Sequence, residues 1–460
     1  MTNRASLLAL AVFALLYNPI FNYEELLRRG FTGGAVRAGL SLASFAIIVA
    51  ILSFHRSSPR DAPSWRSVTA IALILCLGTT RGLLNAADIR GVAVDLFPLL
   101  EVFAYSAVLA WVVVDVTVAR IALLMLIGWV ALVSAIELVL YVRVGDLFAT
   151  RTLIEGCTLP RLQDFMPLIA LPATLVGVVV LRGRLQLFVA VAMAVISAAL
   201  LTSFFRTLWV AAIAAVLVLL GPFLVQPRRA LQLLGTCILA SAAAFGFLSL
   251  SPLLLAYKPV CTAPTTSTAL PTTVPTTVPT TFLTAVPTTV PTTPSTPPVA
   301  STLSAPPLSQ LVTGRLDPDL ISTEPASFGG RLEANLDMLR ELLRNPIFGI
   351  GFGGHFRQDY RGVTEMAEVA SSPNLLLGMI VELGLPLSAV MFFIVGAELV
   401  RGAKSAWMSL NKPSGALAWA CLAGVAGVIV TLALFPAPLH YALGPYAALL
   451  VRIARVLPTK

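Results

Sequence analysis

Long apolar stretches, separated by short polar connections, organise this chain. A helix needs about 20 residues to cross a bilayer. Runs of roughly that length lie at 5–21, 36–54, 67–86, 92–114, 119–142, 165–181, 185–203, 207–225, 231–256, 374–399, 415–435 and 438–457. The pattern predicts an all-α polytopic membrane protein with about twelve transmembrane helices. Asn18, Arg81 and His440 interrupt the first, third and last runs. The N-terminal run carries Arg4 but no small-residue cleavage site, so it is expected to stay as a span.

The pattern breaks once. Residues 257–373 form one long connection, so the chain divides into helices 1–9 (1–256), a loop (257–373) and helices 10–12 (374–460). From Pro259 to Gly314 the loop has no charged residue, and from 271 it repeats Pro-Thr-Thr. Proline at every fourth position forbids a regular helix and favours an extended chain. Thr/Pro tracts of this kind are often glycosylated stalks. Residues 259–314 are therefore expected to be disordered and 328–373 structured.

Within 331–345, Leu332, Leu336, Leu339 and Leu343 recur at helical spacing, with Arg331, Glu333, Asp337, Arg340, Glu341 and Arg344 around them. This predicts an amphipathic helix that lies along the outer membrane surface or caps the bundle. Asn345-Pro346 ends it. Gly349, Gly351 and Gly354 match a GxGxxG spacing, but no strand precedes them and no acid follows at the right distance, so they predict a tight turn and not a dinucleotide site. Asp317-Pro-Asp319 reads as a turn.

The 460 residues are 57% hydrophobic and only 12% charged, with mean hydropathy +0.89. That excludes a soluble enzyme, a disordered chain and a nucleic-acid-binding domain. The net charge of +9 is spread over short loops, so it reports topology. With the N-terminus inside, the inner loops collect Arg56, Arg60, Arg66, Arg182, Arg184, Arg228, Arg229, Arg401, Lys404 and Lys412, and Arg452, Arg455 and Lys460 follow at the C-terminus. Both termini are thus expected in the cytoplasm and the long loop outside.

Cys76, Cys237 and Cys421 fall within apolar runs. Cys157 and Cys261 fall in outer segments, where oxidation is available, and a disulfide between them would tie the 143–164 connection to the base of the long loop. Asp95, Glu101, Glu137, Glu382 and Glu398 lie in or near the apolar runs. Each could mark an ion pathway, but they are scattered in sequence and structural pairing accounts for most of them.

Arg206, in Ser203-Phe-Phe-Arg206-Thr-Leu-Trp209, starts the eighth run at a depth where a guanidinium needs a partner. With Arg331, Arg357 and Arg361 it could grip a phosphate or diphosphate by forked hydrogen bonds.

Several of these features together resemble the O-antigen ligase and O-antigen polymerase superfamily. They are Gly330-Arg331-Leu-Glu-Ala-Asn, Asn345-Pro-Ile-Phe-Gly-Ile-Gly-Phe-Gly353, Ser372-Pro373-Asn374-Leu and Val381-Glu-Leu-Gly-Leu385, with Arg206 ahead of Trp209. The resemblance covers residues 200–210 and 328–400. It implies transfer of a glycan from an undecaprenyl (polyprenyl) diphosphate carrier to a hydroxyl acceptor, on a lipid, a protein or another glycan, at the outer face of the bacterial cytoplasmic membrane. It implies no metal and no cofactor. Arginines Arg206, Arg331, Arg357 and Arg361 would bind the diphosphate, and Asn374 and Ser372 would contact sugar or acceptor.

Where the family carries a histidine base this chain has Pro373, which cannot accept a proton. His355, Asp359, Glu365 and Glu368 are the nearby candidates for that role. Two other readings stand beside the transferase. One is a transporter or flippase of lipid-linked sugars, expected to show internal repeats and interrupted helices, neither of which the sequence displays. The other is a non-catalytic member of an envelope assembly complex.

Overall fold

A computed structural model describes residues 2–16, 33–54, 65–85, 87–144, 152–154, 157–159, 166–203, 206–254, 260–261, 328–360, 363–368, 374–434 and 440–459. The Pro/Thr tract, Arg361, Ser372 and Pro373 lie outside these residues. Helices dominate: α1 Thr2–Leu16, α2 Gly33–Phe54, α3 Trp65–Leu84, α4 Ile89–Val112, α5 Val116–Val144, α6 Met166–Val180, α7 Arg184–Thr202, α8 Arg206–Phe223, α9 Pro227–Leu254, α10 Phe328–Arg344, α11 Leu375–Met408, α12 Pro413–Leu434 and α13 His440–Val456. Among the described residues, seven helices (α3, α4, α5, α7, α9, α11 and α12) are long and apolar enough to cross a membrane. Helices α1, α2, α6 and α8 are apolar but shorter in their described parts. A helix falls on each of the twelve apolar runs, and the thirteenth, α10, is the amphipathic one.

Two small sheets depart from the all-α expectation. Strands β1 (Thr152–Ile154), β2 (Cys157–Leu159) and β3 (Val260–Cys261) pair antiparallel in that order. Strands β4 (His355–Tyr360) and β5 (Val363–Glu368) form a hairpin.

Helix α12 is the central element, packed by α6, α8, α11 and α13. Its sequence explains this position, because small residues let neighbouring backbones come close. A Cβ on Gly424 would stand 2.7 Å from the Ile169 carbonyl oxygen, and one on Gly427 would stand 3.1 Å from Ala215.

Polar contacts fix one end of the bundle. Arg229 donates to the carbonyls of Leu410 and Asn411 (2.7 Å each), which sets the α8–α9 turn beside the α11–α12 turn. Buried Arg452 donates to Val113 O (3.0 Å) and Ala110 O (3.1 Å), so the last helix caps the carbonyl end of α4. Asp115 takes the N–H groups of Thr117 and Val118 and so caps the start of α5. Glu398 is paired with Arg401 (2.5 Å) and with Arg455, which makes it structural.

Helix α10 is amphipathic, and its leucine stripe faces away from the protein. Leu332, Leu336, Leu339 and Leu343 are 42–79% exposed. A lesser stripe, Ala334, Met338 and Leu342, is the buried one, and it packs on Ile350, Phe356, Leu377, Ile380 and Val381. Asp337, also buried, is held by Arg340 at 2.5 Å.

Candidate functional site

At the end of the bundle opposite the Arg229 and Arg452 contacts, residues 345–354 dip between helices instead of capping them. The chain leaves α10 at Asn345-Pro346, and Phe352 then inserts, fully buried, among Ile74, Leu75, Val92, Met379 and Leu383. Backbone hydrogen bonds hold the turn on every side. Ile350 N–H donates to Val381 O (3.0 Å), Gly351 N–H to Glu382 O (2.9 Å) and Phe352 N–H to Gly78 O (3.2 Å). Asn85 on the α3–α4 connection donates its side-chain amide to Ile350 O at 2.7 Å.

Glycine makes this seating possible at two positions above all. Gly351 has φ +85°, and a Cβ there would meet Gly82 N at 2.1 Å. Gly384 has φ +76°, which breaks α11, and a Cβ there would meet Ile347 O at 2.4 Å. The groups freed by this break are not left open, since Leu385 N–H donates to Pro346 O (2.8 Å) and the turn takes the carbonyls of Val381 and Glu382. Non-helical backbone at this depth is tolerated where protein satisfies it. Helix α11 is thus interrupted, a feature that sequence periodicity did not disclose.

The turn also gathers charge. Asp95 on α4 accepts the Gly353 N–H at 2.6 Å, and the side chain of buried Glu382 on α11 lies nearby. These acids, scattered in sequence, are neighbours in space. Arg81, read from sequence only as an interruption of the third run, lies part-buried at the end of α3 next to Gly82, and its Nε is buried with no hydrogen-bond partner among the described residues. Sequence reasoning missed Asn85 and gave Arg81 no role. The only signal was a polar pair near the end of an apolar run.

The remaining candidates fall into three groups. His355 and Arg357 are exposed on β4, whose Phe356 anchors the hairpin under α10. The register sets Glu368 opposite His355, Met366 opposite Arg357, Glu365 opposite Gln358 and Thr364 opposite Asp359. Two of the proposed bases are therefore a cross-strand pair, and Glu365 stands apart from them. Asn374 caps α11, accepting Leu377 N–H at 3.0 Å, which is the plain structural role open to a residue at a helix start.

Arg206 is the first residue of α8, and Arg331 lies in the first turn of α10. The corner before Arg206 is fixed by Trp209, whose indole donates to Leu200 O (3.2 Å) across it. The side chains of Arg206, Arg331, Glu365 and Glu368 fall outside the described set, as do Arg361, Ser372 and Pro373 altogether. The register also places Cys157 directly opposite Cys261. Among the described residues, no three His, Cys, Asp or Glu side chains come together as a metal site.

Compared with models of known protein families the chain matches none, and no curated protein matches it.

Proposed function

We propose that this chain is a membrane glycosyltransferase. It moves a glycan from a polyprenyl diphosphate carrier to a hydroxyl acceptor at the outer face of a bacterial cytoplasmic membrane, as ligase or polymerase in surface polysaccharide assembly. In this reading both termini are cytoplasmic and residues 257–373 lie outside, among twelve spans. The observation that carries the reading is the seating of the 345–354 turn. It draws Arg81, Asn85, Asp95 and Glu382 to the same end of the bundle as exposed His355 and Arg357 and the start of α10, where Arg331 stands.

The chemistry follows from what this end offers. Negative charge grows on the diphosphate as the anomeric bond breaks, and fixed guanidinium groups stabilise that charge more in the transition state than in the ground state. Arg81 is half-withdrawn from solvent and has a donor to spare, so it joins Arg206, Arg331 and Arg357 as a diphosphate ligand. His355 takes the acceptor hydroxyl's proton, and Glu368, opposite it in register, orients the ring. This replaces the histidine that the family carries at the place of Pro373.

The break in α11 beside buried Glu382, with Asp95 nearby, favours a second reading, a transporter of lipid-linked sugars. It is the weaker reading, because the 345–354 turn already occupies the backbone groups that a broken helix would offer to an ion. One experiment separates them. The gene is deleted in its source, and Arg81→Ala, Arg206→Ala and Arg331→Ala are returned separately at equal protein level. A transferase leaves finished surface glycan reduced and the carrier-linked glycan exposed to an external glycosidase. Accumulation only behind the membrane, out of the enzyme's reach, overturns this in favour of transport. Normal glycan in all three variants overturns both readings.

A further inference from the structure

We infer that Cys157 and Cys261 form a disulfide that joins the β1–β2 hairpin to the root of the long 262–327 segment. The chain has five cysteines. Cys76, Cys237 and Cys421 each sit alone on a different helix (α3, α9 and α12) with a free thiol. The other two lie in separate connections, one after α5 and one after α9, and the antiparallel register makes them direct partners: Cys157 opposite Cys261 and Thr158 opposite Val260. Strand β3 has only two residues, and one of them is the cysteine that faces the other.

Directly opposed residues of an antiparallel pair have Cα atoms about 4.5 or 5.5 Å apart, depending on the pair type. Both values fall inside the roughly 4.4–6.8 Å range of disulfides. Geometry therefore permits the bond without moving the backbone. A pairing this short, two residues on two, would also gain from a covalent tie, because it has almost no ladder to hold it.

The bond forms by exchange. One thiolate attacks a donor disulfide, carried by a small molecule or an oxidoreductase, and gives a mixed disulfide and one free donor thiol. The second cysteine's thiolate then attacks the protein-side sulfur and releases the other donor thiol. Two protons and two electrons leave the protein, and the donor is reduced to two thiols. Such bonds persist where the compartment is oxidising, so the tie also assigns the β1–β3 end of the bundle to the outside of the cell. This inference stands on the strand register and not on the glycan reading.

The test uses the full chain in native membranes, denatured in detergent with a polyethylene-glycol maleimide present from the start. The expected result is three mass increments without reduction and five after it. Non-reduced peptide mapping should show the Cys157 peptide joined to that of Cys261. Cys157→Ser should take four increments with or without reduction. Five increments on the unreduced native chain, or either cysteine linked elsewhere, overturns the inference. If Cys157→Ser fails to accumulate, the peptide map of the native chain decides by itself.

Discussion

The carboxylate of Asp95 on α4 accepts the N–H of Gly353 at 2.6 Å, and the backbone carbonyl of Glu382 on α11 accepts that of Gly351 at 2.9 Å. Two helices and the re-entrant turn thus meet at these two contacts. An amide oxygen can accept where the carboxylate does, so Asp95→Asn should keep its contact, and Glu382→Gln leaves the backbone carbonyl that holds Gly351 in place. Asp95→Leu should lose its contact. It leaves a buried N–H without an acceptor, at a cost of about 1–3 kcal/mol. Thermal melts of the purified protein should therefore show a clear fall for Asp95→Leu and little change for the two amides. Equal falls in all three would mean that charge, and not hydrogen bonding, holds the turn.

The fit between Gly351 and Gly82 makes a sharper prediction. Gly351→Ala adds a Cβ 2.1 Å from a backbone nitrogen, at a φ of +85° that L residues rarely adopt. Neither the α3 backbone nor the turn can yield cheaply, so this variant should lose most of its folded monodisperse protein. Gly235→Ala and Gly246→Ala are the controls. Both lie within α9 with nothing within 4 Å of the added carbon, and each should be neutral or more stable by up to about 1 kcal/mol. Size-exclusion profiles of tagged protein would show the contrast.

The legibility of this chain follows distance along the sequence. The helices were visible because an apolar run is a local property, and the turn after Asn345-Pro346 was visible because proline and glycine act locally too. The nearness of Asp95 to Glu382 was not. Each looks like an isolated acid until the fold sets α4 against α11. The β4–β5 hairpin was missed although its two strands are separated only by Arg361-Gly362, a two-residue interval with the glycine that tight hairpins favour. The polar content of His355–Tyr360 hid its alternation. On α10 the stronger leucine stripe outshone Ala334, Met338 and Leu342, yet a membrane protein has no reason to bury its most apolar face, since lipid is apolar as well.

The orientation of α10 is testable at adjacent residues. Met338 is fully buried and packs on Ile350 and Phe356, whereas its neighbour Leu339 belongs to the exposed stripe. Met338→Ala should cost about 2–5 kcal/mol, and Leu339→Ala within about 0.5 kcal/mol in detergent. In liposomes, a Trp placed at Leu339 should be quenched by brominated acyl chains if the stripe lies in lipid, while a Trp at Ala334 should not. A stable Met338→Ala together with an unstable Leu339→Ala would mean that the helix is turned the other way.

The cross-strand pair of His355 and Glu368 carries the last prediction, and it bears on the proposed chemistry instead of the fold. If His355 accepts the acceptor's proton, His355→Ala should slow glycan transfer by about 10²–10⁴-fold, with the melting temperature unchanged because the side chain is exposed. Glu368→Gln keeps the shape but weakens the hold on the ring, and should cost less than the loss of the histidine. Arg81→Ala should act differently, through the diphosphate. Its deficit should grow as the donor's diphosphate is replaced by a monophosphate less than the wild type's does, since a ligand already lost cannot be lost again. Transfer from a labelled carrier in proteoliposomes reads all three. A His355→Ala enzyme with full activity would take the base role from His355 and leave Asp359, Glu365 and Glu368 as its candidates.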